Sequence, residues 1–475
     1  MVTGYWVAGE NTTSNETFEV RHPHDGQVIG TACYTTDADI ERAAAAADAC
    51  RADFAALPAH ARAAALDHVG TRLTERSEEI AQLITAENGK PIFWSRTEVS
   101  RAASTFRWAA EETRRFTGEL QRLDTDPGAT GRMALIRRVP RGPVLGIAPF
   151  NFPLNLAVHK VAPALAAGVP IVLKPAPKTP LAVLRLGEIL AETNLPMGSW
   201  SIVTASNDQA AGLVADPRLP LVSFTGSESV GVNIQRAVPD KHVTLELGGN
   251  AAAVVCADWA DLDHAVERLA MFAMYQAGQS CISVQRVYVH RDLYDEVQSK
   301  LVKAVQALGT GDPYDEATRV GPMVDEAAAQ RVEQWVDEAV TAGATALTGG
   351  VREGASYAPT VLAGVPEDAK LSCEEVFGPV VTIAPVGSVD EAFTAINASR
   401  FGLQAGIFTS DLQVAFRASA ELEVGGVIIG DVPSFRADQM PYGGVKNSGV
   451  GREGVRSAMT DFTEERVTVL TGVTV

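Results

Sequence analysis

No C-x-x-C pair occurs in the chain. Only five cysteines, Cys33, Cys50, Cys256, Cys281 and Cys373, are scattered over its 475 residues. An odd, dispersed set in a long chain is not a disulfide framework. It points to a reducing compartment, the cytoplasm. Basic charge is also in deficit: 58 acidic residues against 40 lysines and arginines give a net charge of -18. Nucleic acid and anionic membrane surfaces are thereby excluded as partners, since both need a basic face. A small anionic substrate is not excluded, because a few local arginines override the global sign. The segment Met1–Phe18 lacks the basic and apolar regions of a secretory leader, so none is expected. The longest apolar run, near Val161–Leu173, is cut by Pro163, Gly168 and Pro170. It is too short and too interrupted for a membrane span. There is no fixed-period repeat and no zinc-ligand spacing. His22 and His24 form H-x-H in a Pro-containing loop with no third ligand nearby, so no metal is expected.

What is present is enough apolar residue, 46% of the chain, to fill a large core. A chain this long divides that core between two or three domains. The first third predicts helices at Ile40–Phe54, Ala61–Glu87 and Glu98–Phe116, from apolar residues at helical spacing. Short apolar runs then alternate with helical stretches. Gly142–Ala148, Pro170–Leu173, Ser201–Val203 and Leu221–Phe224 read as strands. After Gly248-Gly249 the alternation resumes, with strands at Ala251–Val255, Val284–His290, Thr345–Leu347, Pro379–Pro385 and Gly426–Gly430. This is the pattern of parallel sheets covered by helices. Two α/β domains meeting near Leu247–Asn250 are expected. Two strand-like pieces fit neither sheet: Gln121–Val139 and the tail Glu465–Val475. Strands with so little core of their own often pair with another subunit.

Chemistry concentrates in a few places. Cys281 follows Gly278-Gln279-Ser280, small neighbours that leave a sulfur approachable. Free cysteines are also among the most buried residues, so a purely structural role stays open. Glu246 ends the apolar strand Val243–Leu247. Apolar surroundings raise a carboxyl pKa and suit a general base, although a paired structural glutamate reads the same way. Asn151, in Pro149-Phe150-Asn151-Phe152-Pro153, is either a helix N-cap ahead of Pro153 or an amide aimed at a developing oxyanion. Gly226 and Gly231 bracket a turn between a strand and a helix, where a pyrophosphate can rest on helix N–H groups. No Lys-Ser/Thr follows, so this is not a Walker loop. Gly449-Val450-Gly451-Arg452-Glu453-Gly454 matches G-x-G-x-x-G, but no strand precedes it. It reads as a glycine-rich active-site or inter-domain loop instead of a dinucleotide fingerprint.

Taken in order, Pro149–Pro153, Lys174–Pro177, Phe224–Gly231, Glu246–Gly249, Gln279–Cys281, Glu374–Pro379 and Pro441–Gly454 resemble the aldehyde dehydrogenase superfamily over nearly the whole chain. Pro433–Arg436 and Gly278–Arg286 are most similar to its lactaldehyde dehydrogenase-like branch. The resemblance implies a Rossmann-type cofactor domain at 1–120 and 140–248 and a catalytic domain at 249–455. It also implies a small β oligomerisation arm at 121–139 and 456–475, hence a homodimer or homotetramer. It implies a small aldehyde substrate and NAD or NADP as cofactor. Cys281 would attack the aldehyde, with the oxyanion held by the Asn151 amide and the Cys281 N–H. Glu246 would activate water to release the acid from a thioester. Lys174 would bind the adenine ribose, Ser227 and its helix the pyrophosphate, and Glu375 the nicotinamide ribose, with Phe377 packing nearby.

Departures carry information too. Many NAD-preferring members have Glu where this chain has Pro177, followed here by Lys178, so NADP is expected to compete. Asn155 and His159, four apart, share the face that lines the family's substrate tunnel. With small polar Ser280 and with Arg436 in the tunnel-closing loop, they suggest a short polar, hydroxylated or anionic aldehyde. Arg436 could equally form a loop salt bridge. The competing readings are a CoA-acylating relative, which does not need the glutamate base, a non-redox thiol hydrolase, and an inactive binding protein.

Overall fold

The structure, a computed structural model, describes residues 2–472. Two large sheets dominate. In the first, strands run in the order Gly449–Val450, His242–Glu246, Leu221–Thr225, Val144–Ile147, Ile171–Lys174, Trp200–Ile202, Tyr5–Val7 and Glu10–Thr12. Its five central strands are parallel. Val144–Ile147 and Ile171–Lys174 are short apolar runs because helices cover both faces. The second sheet orders Thr345–Thr348, Thr360–Ala363, Val380–Val386, Arg286–His290, Ala252–Val255, Gln404–Phe408 and Gly426–Ile429, parallel except for its first strand. Each sheet packs against its own apolar core. The molecule is thus α/β with two parallel-sheet units. No helix among the described residues is long and apolar enough to cross a membrane.

A third, antiparallel sheet orders Thr463–Thr471, Arg132–Pro140 and Glu119–Arg122. Leu120, Leu135, Val467 and Val469 are exposed on it. Its last strand starts at Thr463, and the residues just before it are helical. Helix Val455–Asp461 puts Val455, Ala458 and Met459 into the first core, beside Phe462. Apolar side chains at helical spacing had a core to enter, so the strand starts only at Thr463. The end of the expected arm, 473–475, lies outside the described residues. The helix expected over Ala61–Glu87 is two helices, Ala59–Glu75 and Ser77–Asn88. Arg76 leaves helical geometry between them, and Glu78 and Glu79 start the second helix, where negative charge suits its N-terminus.

Strand register positions the site. Thr225 pairs with Glu246, Phe224 with Ile147, and Ile147 with Lys174. These residues share the carboxyl end of the first sheet, where ligands bind in open parallel sheets. Helix Pro153–Ala167 starts just beyond Ile147. Pro153 fits its first turn, and Gly168, at φ +72°, ends it. Glu98 holds its start: Oε1 accepts from the Leu154 and Asn155 N–H groups at 3.0 and 3.1 Å, while Lys90 pairs with Oε2. The glycine-rich Gly449–Gly454 segment adds an edge strand beside Leu245 and Glu246.

Candidate active site

A cleft of about 910 Å³ runs along the carboxyl end of the first sheet. Lys174, Gly226, Ser227, Glu246, Cys281, Glu375 and Phe377 all line it, together with Asn151. Helix Glu228–Ala237 begins there without a side-chain cap, because the Ser227 hydroxyl meets Ser229 instead. Its first N–H groups are left for an anion. Glu375 accepts from the Gly249 N–H at 3.1 Å, and Phe377 packs edge-on against Phe150. An uncapped helix, a lysine and a carboxylate spaced along one cleft fit a dinucleotide.

Two expected cofactor residues lie elsewhere. Lys178 is exposed and pairs with Asp325, away from the cleft lining. A surface lysine on a loop takes the nearest carboxylate. Gly231 is buried under the helix, where a Cβ would come 2.4 Å from Leu247. Its lack of a side chain allows close packing of helix on strand. Arg331 lines the cleft and donates to the Val376 carbonyl, a residue that sequence spacing did not single out.

Cys281 lines the cleft and is half-buried. Its Sγ is 3.1 Å from Tyr442 Oη. Burial pushes the thiol up to about 12; the Tyr442 hydrogen bond opposes that, and the negative charges of Glu375 and Glu246 add to it. The resting group is a thiol. Glu246 is buried and neither carboxylate oxygen has a hydrogen-bond partner. Burial, then the charge of Glu453, raises its pKa well above the ordinary range, against the pull of Arg436, Lys160 and Arg452. Asn151 Nδ2 donates to the Gln279 carbonyl at 2.9 Å, which ties the amide to the loop that carries the cysteine. No side-chain cap bond is made at the start of the helix, so the N-cap reading of Asn151 does not hold.

The side chains of the expected substrate residues Asn155, His159, Ser280 and Arg436 are buried and do not line this cleft. Asn155 Oδ1 and Arg436 Nε are buried without partners. His159 has no hydrogen bond either; its Nε2 is 3.5 Å from Asp438 Oδ1, too far for a good one. Burial, with the charge of Arg436, lowers His159 to about 4, so the ring is neutral near pH 7. Ser280 Oγ accepts from the Tyr275 hydroxyl at 2.9 Å. Arg436 does form an ion pair, to Glu453 at 3.2 Å, and its guanidinium stacks 3.8 Å from the Tyr442 ring centroid. Lys160 completes the buried network, 2.9 Å from Glu453. Removing one member of such a network strands a charge and costs about 3–5 kcal/mol.

Sequence reasoning missed Tyr442, Glu453, Lys160, Arg101 and Asp438. Lys160 gave a signal, as the one formal charge in the apolar helix Pro153–Ala167. Arg101 reaches Asp438 at 2.9 Å from a distant helix, which no local pattern announces. Both line an open groove of about 780 Å³ that shares no lining residue with the cleft of Cys281.

Two parallel-sheet units around one long cleft define a cofactor-dependent oxidoreductase. The model of the "Aldehyde dehydrogenase family" matches residues 6–468. A 3-sulfolactaldehyde dehydrogenase of Priestia megaterium is 43% identical over 469 residues, 98% of each chain. Aldehyde dehydrogenase 21 of Physcomitrella patens, solved with the reaction product succinate, superposes with a TM-score of 0.98. It is 44% identical and covers 99% of this chain and 98% of its own. NADP-dependent glyceraldehyde-3-phosphate dehydrogenase of Bacillus halodurans, solved with NADP, has a TM-score of 0.95 at 34% identity, with 100% of both chains covered. The chain belongs to the aldehyde dehydrogenase family.

Proposed function

We propose that this dehydrogenase oxidises a short, polar, anionic or hydroxylated aldehyde to its carboxylic acid, with NAD or NADP, in the cytoplasm. The observation that carries the reading is the shared cleft: Cys281, Glu246 and Asn151 line one space with Lys174, Ser227 and Glu375. Five cysteines without a disulfide suit a reducing compartment.

In this reading the Cys281 thiol gives up its proton to water in the cleft as Sγ attacks the aldehyde carbon, and the oxyanion takes hydrogen bonds from Asn151 Nδ2 and the Cys281 backbone N–H. A bound nicotinamide supplies the hydride acceptor. Lys174, the start of helix Glu228–Ala237 and Glu375 hold and orient it. The acyl group is left as a thioester on Cys281. Glu246, once ionised, takes a proton from water as that water attacks the thioester carbon. Lys160 and Arg436 hold the Glu453 carboxyl below the ordinary carboxylate range and keep it anionic, and its charge helps to hold the Glu246 proton until it is needed.

Three buried polar side chains outside the cleft lining support the substrate class. Asn155, His159 and Arg436 each present an unpaired polar atom, and an unpaired buried group favours a ligand that satisfies it. The sulfonated and dicarboxylic compounds named for the relatives are of this kind. The buried Glu246 favours water over CoA as acyl acceptor, and the cofactor cleft sets a plain thiol hydrolase aside. The exposed three-stranded sheet suits pairing with a second copy, as a dimer or tetramer. Its strands, the two larger units at 1–120 with 140–248 and at 249–455, and the roles above are one consistent assignment. NAD(P)H formation with an aldehyde panel tests it. Activity that survives Cys281→Ala rules the mechanism out.

A further inference from the structure

The turn before the nucleophile is strained. Gln276 and Ala277 stand at φ +56° and +51°, and Gly278 follows at φ +67°. Residues with side chains avoid this left-handed region, and such strain persists only where the surroundings over-determine it. One contact that holds it comes from far away in sequence. Asn88, the last residue of helix Ser77–Asn88, is 1% exposed. Its Oδ1 accepts from Gln276 Nε2, and its Nδ2 donates to the Phe150 carbonyl at 2.6 Å.

Those two partners belong to the two segments that supply the chemistry. Phe150 precedes Asn151, whose Nδ2 donates to the Gln279 carbonyl at 2.9 Å. Gln279 Nε2 donates to the Gln276 carbonyl at 3.1 Å. The contacts close into a ring: Asn88, Phe150 and Asn151, Gln279, Gln276, and back to Asn88. A carboxamide suits the junction because it donates at one atom and accepts at the other. An ionised carboxylate accepts only, and an alkyl group does neither.

We propose that Asn88 is a positioning residue. It keeps the Asn151 amide in register with the Cys281 loop across the boundary between the two units. It acts through those residues, and the assignment rests on their being oxyanion donor and nucleophile.

Asn88→Ala is then expected to lower kcat for aldehyde oxidation roughly 10- to 100-fold, the cost of a misplaced catalytic group. The KM for NAD(P) stays at its wild-type value. Alkylation of Cys281 by iodoacetamide needs the thiol but no oxyanion donor, and it proceeds as in the wild type. Asn88→Asp can donate to Phe150 only when protonated, so its kcat relative to wild type rises as pH falls. Because Asn88 and Gln276 act as one unit, the Asn88→Ala/Gln276→Ala double variant is no slower than the slower single variant. Losses that multiply in the double variant, or a wild-type kcat in Asn88→Ala, overturn the proposal. If Asn88→Ala does not fold, Asn88→Ser is measured in its place; if neither folds, Asn88 is structural and the proposal falls. A wild-type protein that oxidises no aldehyde refutes the reading of Cys281 and Asn151 themselves. An active wild type with unimpaired Asn88 variants refutes Asn88 alone.

Discussion

The sulfur of Cys281 lies 3.1 Å from the hydroxyl of Tyr442, a residue 161 positions away. A phenol at that distance stabilises a thiolate by hydrogen bonding, and it counters part of the burial that pushes the thiol up. Tyr442→Phe removes the donor and keeps the ring under Arg436. A hydrogen bond to a charged group contributes about 1.5–3 kcal/mol, or roughly one pKa unit or more. The rate of Cys281 alkylation at pH 8 should therefore fall roughly tenfold. An unchanged rate would show that the contact does not reach the thiolate.

Glu246 gives the activity a pH signature. Its pKa is raised, so it is protonated at pH values where an ordinary glutamate is ionised. A base must be ionised, so the hydrolytic step should speed up as pH rises past the ordinary carboxylate range. Glu246→Gln should flatten that rise and lower steady-state turnover about 10²–10⁴-fold. The first turnover, seen as a burst of NAD(P)H, should survive. Loss of burst and steady state together points to a different role.

Arg436 has the charge and the free Nε to meet an anionic substrate. Arg436→Ala should raise KM about 10-fold or more for an acid-bearing aldehyde, from the lost charge-assisted hydrogen bond. The KM for propanal should not move. Equal effects on both substrates would leave Arg436 as no more than the partner of Glu453. Because Glu453 is buried, the same variant should also lose about 3–5 kcal/mol of stability, read by denaturant unfolding.

Pro177 lines the cleft, and in the proposed binding mode a carboxylate at this position would repel a 2′-phosphate. NADP should therefore compete with NAD in the wild type, and Pro177→Glu should depress kcat/KM for NADP while sparing NAD. With Lys178 engaged by Asp325, neutralising Lys178 should change the preference little. An NADP efficiency a thousandfold below that of NAD in the wild type contradicts this account.

Much of the fold was legible because burial on both faces writes apolar runs into a sequence. Ile171–Lys174, Leu221–Thr225 and Ala252–Val255 fall within a residue or so of where the alternation placed them. The N-terminal strands Tyr5–Val7 and Glu10–Thr12 were not visible, since so short a hairpin has too few residues to show a period. The helix Val455–Asp461 is not legible either, because the chain does not announce which core a short apolar helix enters.

The sequence alone determined which residues are candidates for chemistry: Cys281, Glu246 and Asn151. A cysteine in a small-residue loop, a glutamate ending an apolar strand and an asparagine ahead of a helix are local patterns, set by local geometry. Tertiary structure alone decided what surrounds the sulfur. Tyr442, the pair of Lys160 with Glu453, Arg101 with Asp438, and the Asn88 bridge all span long stretches of chain. The same holds for Lys178, which the fold turned toward Asp325 and away from the cofactor cleft. Hydrogen bonds and ion pairs act over a few ångströms of space, and only folding brings such residues within that reach.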